Sequence, residues 1–160
     1  MFSEELIPVK TCKACPDSLV NVLASEFQYD GTILGTFAVI NANLLKCFHC
    51  GEKWYLRSEA RRWELEKAKE IIRRGNKLTS KELKFLAQIH YIRYYGDMYV
   101  SFSFWATEHK IVLSSEFENR IHQLRNDRGA TFDVTDWIKL DPNMELTDHL
   151  LTYLKEKLEL

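Results

Sequence analysis

The chain has four cysteines, and they fall into two pairs of one form: Cys12-Lys-Ala-Cys15 and Cys47-Phe-His-Cys50-Gly51. A two-residue gap lets a tight turn aim two thiolates at a single metal ion. Four sulfurs at about 2.3 Å from a zinc complete a closed tetrahedral shell, the structural rather than the catalytic kind. Gly51 suits such a turn because glycine takes the positive φ that lets backbone N–H groups point at a sulfur. Two disulfides, or four separate buried thiols, would use the same residues. Disulfides need an oxidising compartment, however, and nothing in the sequence points to export. A catalytic zinc would keep a position open for water and usually recruits His or Glu. His49 lies inside the second pair, but four cysteines already fill the shell, so it reads as a surface or supporting residue. The reading is one Zn2+ held by Cys12, Cys15, Cys47 and Cys50, holding a fold together.

A chain of 160 residues makes one domain or two small ones, and 12% aromatic residues suffice for a core in each half. The net charge of −1 excludes a molecule that binds nucleic acid through its overall charge, so any such binding must come from a local patch. The acidic start Met1-Phe-Ser-Glu-Glu does not read as a signal peptide. No apolar run approaches the ~18 residues of a membrane span. The expectation is a soluble cytoplasmic protein with reduced or metal-bound thiols and no membrane partner.

Between the cysteine pairs, Leu19–Phe27 and Thr32–Leu45 alternate or run apolar, with Asp30-Gly31 as a hairpin signal between them. Pro8 keeps the lead-in out of helix. This is the pattern of a zinc ribbon, a small antiparallel sheet closed at one end by metal, in which so small a core leaves much of the stability to the metal. Ser58 then opens a helix that Gly75 and Asn76 close, with acid in its first turn and arginines in its last. Its apolar positions, Ala60, Leu65, Ala68, Ile71 and Ile72, are sparse, and it reads as a solvated connector. The expected organisation is α+β: a ribbon over 1–57, a charged helical connector over 58–77 and a mainly helical domain over 78–160, the two halves being separable.

Thr79-Ser-Lys-Glu82 is a capping box that starts a helix running to about Tyr95, with Leu83, Leu86, Ile89, His90 and Ile92 on its buried side. Residues 98–106 fit strand alternation, yet Ser101 could also cap a short helix, and pattern alone leaves both open. Ser114-Ser115 caps a helix to about Asp127 with an inward stripe of Phe117, Ile121 and Leu124. Thr135 starts a short segment holding Trp137, Asp141-Pro-Asn is a turn, and 147–160 forms a final amphipathic helix.

The four-cysteine ribbon, Cys47-x-x-Cys50-Gly51 with Glu52, Trp54 and Tyr55, the Ser-Glu-Ala helix start and Leu78-Thr-Ser-Lys-Glu-Leu83 resemble the MqsA (YgiT-type) zinc-finger antitoxins over roughly residues 11–86. In that family a charged connector leads into a helix-turn-helix. The resemblance implies a transcription-linked protein whose zinc half binds a toxin, commonly an RNase, and whose second half binds operator DNA as a dimer. Beyond Leu86 the residues diverge. Position 102 is Phe where the family commonly has Gln, and no glycine marks the turn before a recognition helix.

If the second half reads DNA, the Ser114–Asp127 helix is the best reader: Ser115, Asn119, Arg120, Gln123 and Asn126 are hydrogen-bonding types suited to base edges and phosphates. An ordinary solvated helix face would look the same. Arg73 and Arg74 are the connector residues best suited to phosphate. The acidic, leucine-lined tail does not suit nucleic acid, and its leucines read as packing on the second domain or on another subunit. No enzyme signature is present: the histidines show no metal-ligand pairing and no glycine-rich phosphate loop exists. Two readings stand, a zinc-ribbon antitoxin or transcriptional regulator that binds DNA, and a zinc-ribbon interaction module that holds a protein partner without touching DNA.

Overall fold

The computed structural model describes residues 6–8, 19–31, 33–75, 78–126 and 145–158. The chain is α+β and divides into two compact units between Lys67 and Ala68. The first holds an antiparallel sheet of β1 (Leu6–Pro8), β2 (Leu19–Gly31), β3 (Gly35–Cys47) and β4 (Lys53–Leu56), ordered β1-β4-β3-β2. Pro8 is tolerated because β1 is an edge strand, where a missing N–H need not leave a ladder bond unmade.

The β2–β3 hairpin reverses later than the Asp30-Gly31 signal suggests. Asp30 pairs with Thr36 and Gly31 with Gly35, so the loop is 32–34, and Gly35 takes the left-handed conformation at φ 78° that closes a three-residue loop. Strict alternation also fails inside the hairpin. The ladder pairs Ala24 with Ala42 and Glu26 with Ile40, passing over Ser25 and Asn41, and Asn41 sits at φ 55°. Asparagine tolerates this left-handed region better than most residues. The core-facing positions change parity there, from Ala24, Ala42 and Leu44 to Phe27, Tyr29, Phe37 and Val39. Leu23 and Ile40 are consequently 64% and 74% exposed.

Helix α1 (Arg57–Arg74) corrects the reading of a solvated connector. Trp63, 2% exposed, packs with Ala60 on the sheet, its ring centroid 5.4 Å from Phe27, 5.6 Å from Tyr29 and 5.2 Å from Tyr55. Aromatic pairs of this kind add about 0.5–1.5 kcal/mol each beyond the area they bury. Tyr29 Oη donates to Glu64 Oε1 at 2.7 Å, which ties helix to strand. Farther along the same helix Ala68, Ile71 and Ile72 are buried in the second unit. The expected 58–77 connector is therefore divided between the two cores. Glu59 in the first turn, Arg73 and Arg74 in the last and Gly75 beyond follow the helix dipole and the usual C-terminal punctuation.

The second unit holds α2 (Ser80–Tyr94), α3 (Met98–Glu108), α4 (Ser115–Asn126) and α5 (Glu145–Lys157). The capping box forms as the sequence predicts, with Glu82 N donating to Thr79 Oγ1 at 3.1 Å and Thr79 N to Glu82 Oε1 at 3.2 Å. Residues 98–108 are helix. Asp97, not Ser101, caps it, accepting from Tyr99 N at 2.8 Å and Val100 N at 3.1 Å. Met98, Tyr99, Phe102, Trp105 and Ala106 are buried at helical spacing. Phe102 lies 5.9 Å from Phe117 of α4 and 5.8 Å from Tyr153 of α5, centroid to centroid, so α3 is the middle of this core. Ser114 Oγ accepts from Phe117 N at 3.2 Å as the α4 cap, and Phe117 and Ile121 point inward. Leu150, Leu151, Leu154 and Leu158 are buried, while Leu124 and the expected segments around Trp137 and Asp141 lie outside what is described. Among the described residues no helix is long and apolar enough to cross a membrane.

Candidate functional sites

Strand β3 carries Cys47 to the end of the sheet, where it is fully buried, and the chain turns back into β4 through 48–52. Gly51 N donates to Cys47 O at 3.0 Å and Cys47 N to Glu52 O at 2.7 Å, closing a tight loop. Gly51 adopts φ 76°, a conformation costly for any residue with a Cβ. The loop exposes Cys50, His49 and Phe48, the last 76% exposed with its ring edge-on to His49. Cys12 and Cys15 lie outside the described residues. Their flanks do not: Pro8 pairs with Trp54 and Leu19 with Cys47. Both ends of the 9–18 segment therefore meet the sheet at the end where the Cys47–Cys50 loop turns. Among the described residues no group of three His, Cys, Asp or Glu could hold a metal ion, and only Cys47 and Cys50 of the four expected ligands belong to that set.

The same unit has a cleft of about 350 Å3 lined by Asn21, Asn43, Leu44, Leu45, Leu56 and Glu59. Leu23, directly paired with Asn43, stands exposed beside it. Glu59 is held by Arg62, Nη2 to Oε2 at 2.7 Å.

The residues suited to DNA are spread over two helices. On α4, Ser115 and Asn119 are exposed, as are Glu116 and His122, while the side chains of Arg120, Gln123 and Asn126 lie outside what is described. Glu116 and Glu118 put two acids into the first turn of α4. On α1, Arg73 is exposed, but Arg74 pairs with the Glu82 carboxylate. Burial alone would raise the Glu82 carboxyl. The Thr79 backbone N–H and the Arg74 guanidinium outweigh that and hold it below the ordinary carboxylate range. Arg74 thus reaches a phosphate only by leaving the Glu82 carboxylate.

A third site went unrecognised in the sequence. His90, on the inner side of α2 and 2% exposed, meets the Tyr153 hydroxyl through Nε2 at 2.8 Å and the Gly96 carbonyl through Nδ1 at 3.3 Å. A carbonyl can only accept, so Nδ1 carries the proton, Nε2 accepts, and the Tyr153 hydroxyl donates to it. Burial lowers the pKa of His90 and pushes Tyr153 up to about 12, which keeps both neutral in this arrangement. The Ser101 hydroxyl works against that rise at Tyr153. His90, Ser101 and Tyr153 belong to the lining of a cleft of about 310 Å3, together with Tyr94, Phe104, Trp105, Glu108 and Lys157. The available signal was the histidine itself, since a histidine on a helix's apolar side needs partners for two ring nitrogens, but nothing local identifies Tyr153, 63 residues away.

No family model, curated protein or solved structure matches the chain.

Proposed function

We propose that the chain is a zinc-ribbon interaction protein. Its first unit binds one Zn2+ through Cys12, Cys15, Cys47 and Cys50 and docks a protein partner in a reducing cytoplasm. The observation that carries this is the register of the sheet, with Pro8 opposite Trp54 and Leu19 opposite Cys47. That register brings the flanks of the first cysteine pair to the loop of the second. Gly51 in its left-handed turn fits the backbone that lets N–H groups face a thiolate. Zinc here would supply cross-linking and no chemistry, as four thiolates leave no open position. Docking is supported by the exposed Leu23, Ile40 and Phe48 and by the cleft beside Leu23, an apolar surface with hydrogen-bonding groups at its edge. The test is affinity purification of the tagged chain from its native host beside a Leu23→Glu/Ile40→Glu variant. One stoichiometric partner held by the wild type and lost from the variant supports the reading. A partner held equally by both, or none, defeats it.

A second reading keeps DNA as a ligand of the second unit, with the partner a toxin as the family resemblance implies. It draws on the helicity of 98–108, which leaves three successive helices ending in α4 with Ser115 and Asn119 exposed. The two acids in the first turn of α4 oppose phosphate approach there, which is why this reading comes second. Titration against the promoter region and random duplex at two salt concentrations decides it. Asn119→Ala with Gln123→Ala should remove sequence preference, at about 1–3 kcal/mol per bidentate contact. Arg73→Ala with Arg74→Ala should weaken binding to every sequence and flatten the salt dependence.

A further inference from the structure

We propose that the outward face of α2 binds single-stranded nucleic acid. Lys81, Lys84, Gln88, Tyr91 and Tyr95 recur at intervals of three, four, three and four residues and are all exposed, whereas Leu83, Leu86, Ile89 and His90 between them are buried. That spacing lays them along one side of the helix. The stripe runs about 21 Å at 1.5 Å per residue, with its cations at one end and its rings at the other. Arg74 pairs with Glu82, which brings the end of α1 to the first turn of α2 and the exposed Arg73 near the cationic end. The stripe contains no acid. Glu82, the acid of α2, is engaged by Arg74 and the Thr79 N–H, and Asp97, just beyond Tyr95, accepts from the first N–H groups of α3. Lys81 and Lys84 have no ion-pair partner among the described residues.

The tyrosines identify the occupant. Tyr91 and Tyr95 are 62% and 89% exposed, and among the described residues neither has a ring or hydroxyl partner. Tyr95 also sits at φ 52°, the left-handed conformation that Gly or Asn takes at a helix C-terminus at least cost. A ring so exposed returns little packing for that strain, which fits a role in contact rather than in folding. Bases of any sequence stack on such rings through their π-faces, while lysines follow the phosphate backbone. In a duplex those faces already stack on one another, which selects a single strand. An acidic protein segment would satisfy the lysines, but the stripe has no aliphatic residue to centre a protein interface, and lysine is depleted from such interfaces. The face belongs to the second unit, so the proposal stands apart from the zinc-dependent docking of the first.

The experiment is a fluorescence-anisotropy titration of the full-length protein at two salt concentrations. The labelled probes are an oligothymidylate, an oligouridylate, a DNA duplex of the same length and a poly-glutamate of matching charge. The single strands should bind about tenfold more tightly than the duplex, and the tighter of the two names DNA or RNA as the source. Tyr91→Ala with Tyr95→Ala should weaken the single strands by about 5- to 150-fold per ring. Tyr91→Phe with Tyr95→Phe keeps the rings and should bind like the wild type. Lys81→Ala with Lys84→Ala should weaken binding and reduce the slope of log affinity against log salt by about 1.4, as the loss of two phosphate contacts on a single strand does. Tyr95→Gly should weaken binding while holding or raising the thermal midpoint, because the strain leaves with the ring. A duplex or poly-glutamate bound as tightly as the single strands, tyrosine variants without effect, or no binding at low salt overturns the proposal.

Discussion

At the scale of single residues, His90 in the second unit is a titratable group whose role follows from its surroundings. His90 is neutral because burial disfavours its charged form, and its partners fix one tautomer, Nδ1–H to Gly96 and Nε2 accepting from Tyr153. Its folded pKa lies below the ordinary 6.5. The unfolded chain therefore binds a proton that the folded chain refuses. The stability this group supports is fully present above about pH 6.5 and falls as pH drops toward the folded pKa, by up to about 1.4 kcal/mol per pH unit in that window. Urea midpoints of the wild type and of His90→Gln should diverge most at neutral pH and converge below pH 6. Parallel curves would show that His90 does not sense pH. The histidine was visible in sequence as a member of the buried side of α2. Its partner was not, since the pairing depends on how α5 returns to α2.

At the scale of elements, local punctuation was legible and long-range packing was not. The Thr79–Glu82 box and the Ser114 cap are contacts within a few residues, and both form. Residues 98–108 stayed ambiguous because alternation and helical spacing both fit an aromatic-rich stretch, and the deciding residue, Asp97, sits just outside it. The face switch at Ser25 and Asn41 breaks the alternation on which any strand reading rests. The β1–β4 pairing joins residues some fifty positions apart, beyond any local pattern. Helix α1 misled because its apolar residues are divided between two cores, and each short stripe alone looks sparse. One consequence is specific. Ile72 is fully buried in the second unit although it belongs to the charged helix. Ile72→Ala should cost about 2–5 kcal/mol, and a fragment of 76–160 should be less stable than one of 68–160 by a comparable margin. Equal denaturation midpoints for the two fragments would return α1 to the role of a solvated connector.

At the scale of the whole molecule, the two units differ in what holds them together. The second has a core of α1, α2, α3, α4 and α5 side chains that runs from Ala68 to Leu158. In the first, the described buried cluster is Tyr29, Val39, Ala42, Leu44, Ala60 and Trp63, supported by Ala24, Phe27, Phe37 and Tyr55. That cluster lies under α1, whereas Cys47 stands at the last residue of β3, where the chain leaves the sheet. A sheet unit of this size buries too small a fraction of its surface to be comfortably stable alone. Structural zinc in small peptides contributes roughly 10–16 kcal/mol at neutral pH, comparable to the whole stability of an ordinary domain. The proposed tetrathiolate should therefore decide whether the first unit is folded. Native mass spectrometry should find one zinc per chain, lost with chelator or with Cys50→Ser. On its loss, fluorescence from Trp54 and Trp63 should shift to the red. Most of the far-UV helical signal should survive, because α2 to α5 belong to the second unit. Restoring zinc should reverse both changes. A metal-free chain with two disulfides and an unshifted spectrum would refute the tetrathiolate. A zinc-bound chain whose spectrum ignores chelation would show instead that the aromatic cluster around Trp63 suffices to hold the sheet.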